Sequence, residues 1–169
     1  AWHVGPGGTL TDAPPAGDGE DRFTWNPKAR PATSFTGNTA GGPGGLWTAT
    51  PSYRWDPNPS GTAASWLSAP LAADTAVIGA GAVDLWIQAS TRDVDLQVTV
   101  TEVRPDGHET FVQNGWLRSS LRALDPRSTE LEPVLSLKRA TAAPLPAGRF
   151  TKVTVPLYYQ GHVYRAGSR

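Results

Sequence analysis

Glycine and proline are too frequent in this chain for long helices. It holds 18 glycines and 16 prolines in 169 residues. Proline removes a backbone donor and clashes with the preceding helical turn, and glycine inside a helix costs about 1 kcal/mol relative to alanine. What can form between such breakers is a series of short extended segments joined by turns.

The alternation of side chains agrees. Over residues 82–88 the side chains alternate, with Val83, Leu85 and Ile87 on one face. Over 95–103, Leu96, Val98 and Val100 face one way and Gln97, Thr99 and Thr101 the other. Val103 is out of phase with that set, which predicts a bulge or a loss of pairing near Thr101 and Glu102. Arg104-Pro105-Asp106-Gly107 is a turn signal, because proline presets φ and glycine accepts φ > 0. Residues 110–113 then run back as the partner strand. Residues 115–122 read as a further strand, or as a short helix, since Leu117 and Leu121 are four apart. Pro126 to Leu131 reads as a loop, and 149–157 as a strand ending on Val153, Val155 and Leu157. Residues 1–62 are turn-rich, with short apolar or aromatic pieces at 2–4, 22–25 and 46–50 that read as short strands in long loops. No internal repeat is visible. The expected fold is all-β: one antiparallel β-sandwich or jelly roll over 1–169.

Lysine plus arginine and aspartate plus glutamate both number 15, for a formal net charge of zero. A nucleic-acid or acidic-membrane partner would need a basic face, so neither is expected. No apolar run approaches the roughly 18 residues of a membrane span. The first residues lack a signal-peptide pattern, which points to the cytoplasm. There are no cysteines, so disulfides and thiolate metal sites are excluded. The chain starts at Ala1 without methionine and stops at Arg169 without a natural ending, which suggests a piece of a longer protein, one sheet lacking its last strands.

Catalytic signatures are missing. No Gly-x-Ser-x-Gly elbow and no phosphate-binding Gly-Lys-Ser/Thr occurs. His108-Glu109 lacks the second histidine of a zincin helix, and Gly79-Ala80-Gly81 lacks the third glycine of a dinucleotide loop. His3, His108 and His162 show no acid and nucleophile in a triad arrangement. Asp93 and Asp95 could contribute to a calcium loop, but two carboxylates are few, and turn capping is the plainer role. No metal and no cofactor is expected. Trp47, Tyr53, Trp55 and Trp66 could stack on sugar rings, although large aromatics also cover thin cores.

Taken in order, several short motifs resemble one family. Trp66-Leu67-Ser68-Ala69-Pro70-Leu71, Val77-Ile78-Gly79, Val83-Asp84-Leu85-Trp86-Ile87, Asp93-Val94-Asp95-Leu96 and Pro105-Asp106-Gly107 are similar to the C-terminal domain of X-Pro dipeptidyl-peptidases and cocaine-esterase-like (CocE/NonD, peptidase S15) serine hydrolases. Gly115-Trp116-Leu117-Arg118 and Leu121-Arg122 match its glycine-and-arginine segment. Upstream, Gly8-Thr9-Leu10 resembles the opening strand, and Trp25-Asn26-Pro27 with Pro31 the proline-rich element. The final Tyr164-Arg165-Ala166-Gly167-Ser168-Arg169 resembles the family's last motif. Asn26 stands where the family usually has aspartate and Ser168 where histidine is common, and the glycine-rich stretch 41–45 is long.

The resemblance implies a non-catalytic jelly-roll β-sandwich, similar to galactose-binding domains, within a larger protein. Its partner would be the α/β-hydrolase catalytic domain of the same chain, carrying a Ser-Asp-His triad, together with a helical cap. The parent would cleave a small ester or peptide through a serine acyl-enzyme. No residue here matches the triad. The resemblance also places Leu46 and Trp47, after the proline-rich element, on the wall of the substrate pocket; the alternative is that they begin a core strand. A free-standing carbohydrate-binding β-sandwich is the competing function.

Overall fold

The structure is a computed structural model, and it describes residues 1–29, 34–35, 41, 45 and 53–169. Among the described residues nine strands follow in order: β1 (His3–Gly5), β2 (Thr9–Thr11), β3 (Ser34–Phe35), β4 (Tyr53–Arg54), β5 (Leu67–Ser68), β6 (Thr75–Ile87), β7 (Asp95–Val103), β8 (Glu109–Arg118) and β9 (Thr151–Tyr164). The helical pieces among the described residues are two single 3₁₀ turns, Ser119–Leu121 and Arg139–Thr141. The fold is all-β, with mainly antiparallel sheets that do not close into a barrel, as in a β-sandwich.

Two compact units divide the chain. The first comprises Ala1–Thr75, Glu102–Phe111 and Tyr164–Arg169. In it, β1 and β2 form a hairpin with Val4 opposite Leu10, and β5 adds alongside β2 in parallel. β3 and β4 pair antiparallel, Phe35 opposite Tyr53. The turn after β7 is the one its residues predict. Gly107 adopts φ 82, its N–H donates to the Arg104 carbonyl at 2.8 Å, and Arg104 N–H donates to the His108 carbonyl at 2.9 Å. A side chain at 107 would strain that left-handed conformation.

The second unit comprises Ala76–Thr101 and Val112–Val163. Strand β6 pairs with β9, and β7 with β8. Leu117, Val153 and Val155 are buried at its centre, and Leu85, Ile87, Leu96, Val98 and Leu135 pack against them. Removing such side chains from water contributes about 1.5–3 kcal/mol each. The outward residues of β6 are exposed, Ile78 and Trp86 among them.

Several details depart from the sequence expectations. The alternation of β7 does not slip: Glu102, 1% exposed, takes the next inward position after Val100, so no bulge is needed to explain Val103. The segments around 110–113 and 115–118 are one strand, β8, which stops at Arg118 and gives way to the 3₁₀ turn. Strand β6 starts at Thr75, ahead of the alternating stretch 82–88, and so includes Gly79 at φ 124. Strand β9 runs seven residues past Leu157, to Tyr164. Residues 22–25 form no strand. The expected strand at 46–50 lies outside the described residues.

Candidate functional site

Leu46 and Trp47, the residues expected on a pocket wall, lie outside the described residues. The chain that carries them runs between β3 and β4, which are held together by the Ser34–Arg54 and Phe35–Tyr53 pairs. Gly45, just before them, is buried. After β4, Trp55 packs tilted on Phe111 with ring centroids 6.1 Å apart. Its indole N–H is buried and has no hydrogen-bond partner among the described residues. Trp66 is tied down, its indole N–H donating to Asp21 Oδ2 at 2.9 Å.

A stacking platform needs aromatic faces that are exposed and coplanar. Trp55 and Trp66 are only part-exposed and are engaged as above. In the second unit Trp116 and Tyr158 meet edge to face, 5.5 Å apart at 64°. That geometry suits an aromatic pair contributing about 0.5–1.5 kcal/mol to packing. It does not offer two faces to one ring.

The acidic pair Asp93 and Asp95 fastens strands. Asp93 Oδ1 accepts from the Ser119 hydroxyl and the Ser120 N–H, and Oδ2 from the Ser120 hydroxyl, each at 2.8 Å. Asp95 takes both arms of the Arg118 guanidinium at 2.7 Å. Burial pushes the Asp93 carboxyl up, but the hydrogen bonds from Ser120 and Ser119 and the charge of Arg118 outweigh it, and the net direction is downward from 3.8. A carboxyl with a depressed folded pKa contributes stability that is present above its unfolded value and is lost as pH falls through the folded one. The latch is therefore expected to hold above about pH 4 and to fail progressively below it. Because the site is exposed, Asp93→Asn should cost only about 1 kcal/mol at neutral pH. Urea midpoints at pH 6 and pH 3 check this: the drop on acidification should be smaller in the variant than in the parent sequence.

In the first unit, residues 165–169 are clamped. Asp74 accepts from Ala166 N–H and from the Arg165 guanidinium, both at 2.8 Å, and the first of these leads in holding its carboxyl low. Glu102 accepts Arg165 N–H at 2.9 Å. Val103 and Arg169 exchange backbone hydrogen bonds at 2.9 and 2.8 Å. A cavity of about 530 Å³ opens beside this clamp, lined by Arg104, Pro105, Asp106, Arg165, Ala166 and Ser168. Ser168 is fully buried, and its hydroxyl has no partner among the described residues; nothing in the structure explains this. No group of three histidines, cysteines or carboxylates poised for a metal occurs among the described residues. No described helix is long and apolar enough to cross a membrane.

The geometry so far is that of a β-sandwich domain whose acids and aromatics hold strands together. The family model for the X-Pro dipeptidyl-peptidase C-terminal non-catalytic domain matches residues 7–169, so the chain belongs to that family. Among solved structures it is similar to a CocE/NonD family hydrolase from Staphylococcus aureus, with 26% identity and a TM-score of 0.54, covering 59% of this chain and 20% of that one. It also shares its fold with an aminopeptidase from a marine sediment Thaumarchaeota archaeon, at 17% identity and a TM-score of 0.54, covering 99% of this chain and 27% of that one. The chain thus spans between a fifth and about a quarter of those proteins. A search of curated proteins gave no match.

Proposed function

We propose that this domain is carried by a serine hydrolase of the X-Pro dipeptidyl-peptidase or acyl-esterase type, packs on its catalytic and cap domains, and helps to shape its substrate pocket. The observation that carries this reading is the match to a non-catalytic C-terminal domain over residues 7–169, in a chain that spans only 20% of a hydrolase of known structure. The partner is then the α/β-hydrolase catalytic domain of the same chain, and the substrate a small ester or peptide cleaved by acyl transfer to the catalytic serine. Leu46 and Trp47 supply apolar wall, so they act on substrate binding and not on the chemical step.

The test compares hydrolysis of a p-nitrophenyl ester and an X-Pro anilide by residues 1–169 and by the whole hydrolase chain. The piece alone should be inert and the whole chain active. Trp47→Ala in the whole chain should raise KM about tenfold with kcat nearly unchanged, the signature of lost uniform binding. Hydrolysis by the piece itself, or a native chain of this size that is inert, would overturn the reading. A Trp47 variant with unaltered KM would remove the pocket wall alone.

A further inference from the structure

The second unit carries a braced hairpin over 123–137 that presents apolar side chains to water. Leu124 and Leu135 form an antiparallel bridge. Asp125 N–H donates to Val134 O at 2.7 Å and Ser136 N–H to Ala123 O at 2.8 Å. The Ser128 hydroxyl donates to Val134 O and accepts from Val134 N–H, both at 2.9 Å. Glu132 N–H donates to the Thr129 hydroxyl at 3.0 Å, and the Tyr159 hydroxyl on β9 donates to the Glu132 carboxylate. These bonds hold the hairpin in one shape.

Its apolar residues are placed against their own interest. Leu124 is 43% exposed, Leu131 78% and Leu137 65%. Leu137 is also the one non-glycine residue among the described residues with positive φ, at 53°. A leucine in the left-handed region is strained by its Cβ, and here burial returns nothing to it. Strain of this kind persists where the surroundings enforce it, and it concentrates at positions with a task.

We propose that the 123–137 hairpin is a docking knob that inserts Leu131 and Leu137 into an apolar cleft on the hydrolase part of the chain that carries this domain. The inference rests on the reading under Proposed function and names the surface through which that packing occurs. The occupant follows from length: about four fifths of the similar hydrolase lies outside the portion this chain spans. Charge adds to the description of the cleft. Asp125 is paired with Arg127 and Glu132 takes the Tyr159 hydroxyl, whereas exposed Glu130, beside Leu131, has no ion pair among the described residues. A lysine or arginine on the rim of the cleft completes it.

The experiment is hydrogen exchange on the whole hydrolase chain, read at the amides of 123–137, with Leu131→Asp and Leu137→Gly. Leu131 is too exposed for its replacement to unfold the hairpin by itself. Leu131→Asp should speed exchange there about tenfold or more, as expected when one buried leucine is lost from a docked surface. Leu137→Gly removes the backbone strain, so a hairpin that merely faces water would become more stable. A docked hairpin loses a contact instead, and its exchange should quicken. Unchanged exchange in Leu131→Asp, or slower exchange in Leu137→Gly, overturns the docking knob. If the domain nonetheless stays on the hydrolase in both variants, the broader reading survives and only the surface is wrong. A change confined to the oligomeric state would mean that a second copy of the chain covers the leucines, which also overturns the proposal.

Discussion

Gly115→Ala is expected to destabilise the second unit by about 3 kcal/mol or more, at the upper end of what overpacking does. A Cβ at this position would stand 2.0 Å from the Pro156 carbonyl oxygen, 2.9 Å from its carbon and 3.2 Å from Leu157 Cδ2. The first two obstacles are backbone, and backbone cannot swing aside as the end of a long side chain can. Strand β8 approaches β9 so closely here that only hydrogen fits between them. A loss of this size is a large part of the roughly 5–15 kcal/mol that holds a domain folded. Thermal and urea unfolding followed by circular dichroism would read it. Gly161→Ala on β9 is the control: nothing lies within 4 Å of the added methyl, and the change should stay within about 0.5 kcal/mol. A Gly115 variant as stable as the Gly161 variant would show that β8 and β9 are further apart than this.

Leu117→Ala should cost about 3 kcal/mol, the middle of the range for emptying a fully packed leucine site. Leu117 is 2% exposed and sits with Val153, 1%, and Val155, 0%. Its loss leaves a cavity that valines on β9 cannot fill, because each is already held by its own strand. Ile78→Ala is the comparison. Ile78 has 85% of its surface in water, so its removal should change stability by no more than about 0.5 kcal/mol. Equal urea midpoints for the two variants would mean that the core does not lie where these side chains place it.

How legible the fold was depends on whether a feature is local. Strand β7 and the turn at Gly107 were readable because alternation and turn chemistry act within a few residues. Strand β9 was readable only to Leu157. Tyr158 and Tyr159 are both exposed, at 61% and 70%, so the period breaks there although the strand continues to Tyr164. Gly115 looked like the start of a strand, whereas it lies within β8 and is small because of Pro156, 41 positions on. The capping role preferred for the acidic pair holds for Asp93, which binds the Ser119–Leu121 turn, and Asp95 joins Arg118. The candidate wall residues Leu46 and Trp47 were found by resemblance, and their position rests on the test proposed above.

The all-β class, the turn at Pro105-Asp106-Gly107 and the likeness of the ordered motifs to the family to which the chain belongs are all written in the order of its residues. Short-range periodicity, turn residues and motif order are properties of neighbouring positions, so they are visible without coordinates. The burial of Glu102 in the place of an apolar residue came from the three-dimensional packing, since its partner, the Arg165 N–H, comes from 63 positions away. That packing alone brought Asp74 to Arg165 across 91 positions and set Gly115 against the backbone of β9. It alone exposed a strained leucine on a rigid hairpin. Each of these depends on which distant segment arrives at a given point, and steric contact and the pairing of buried polar groups settle that only once the strands have packed.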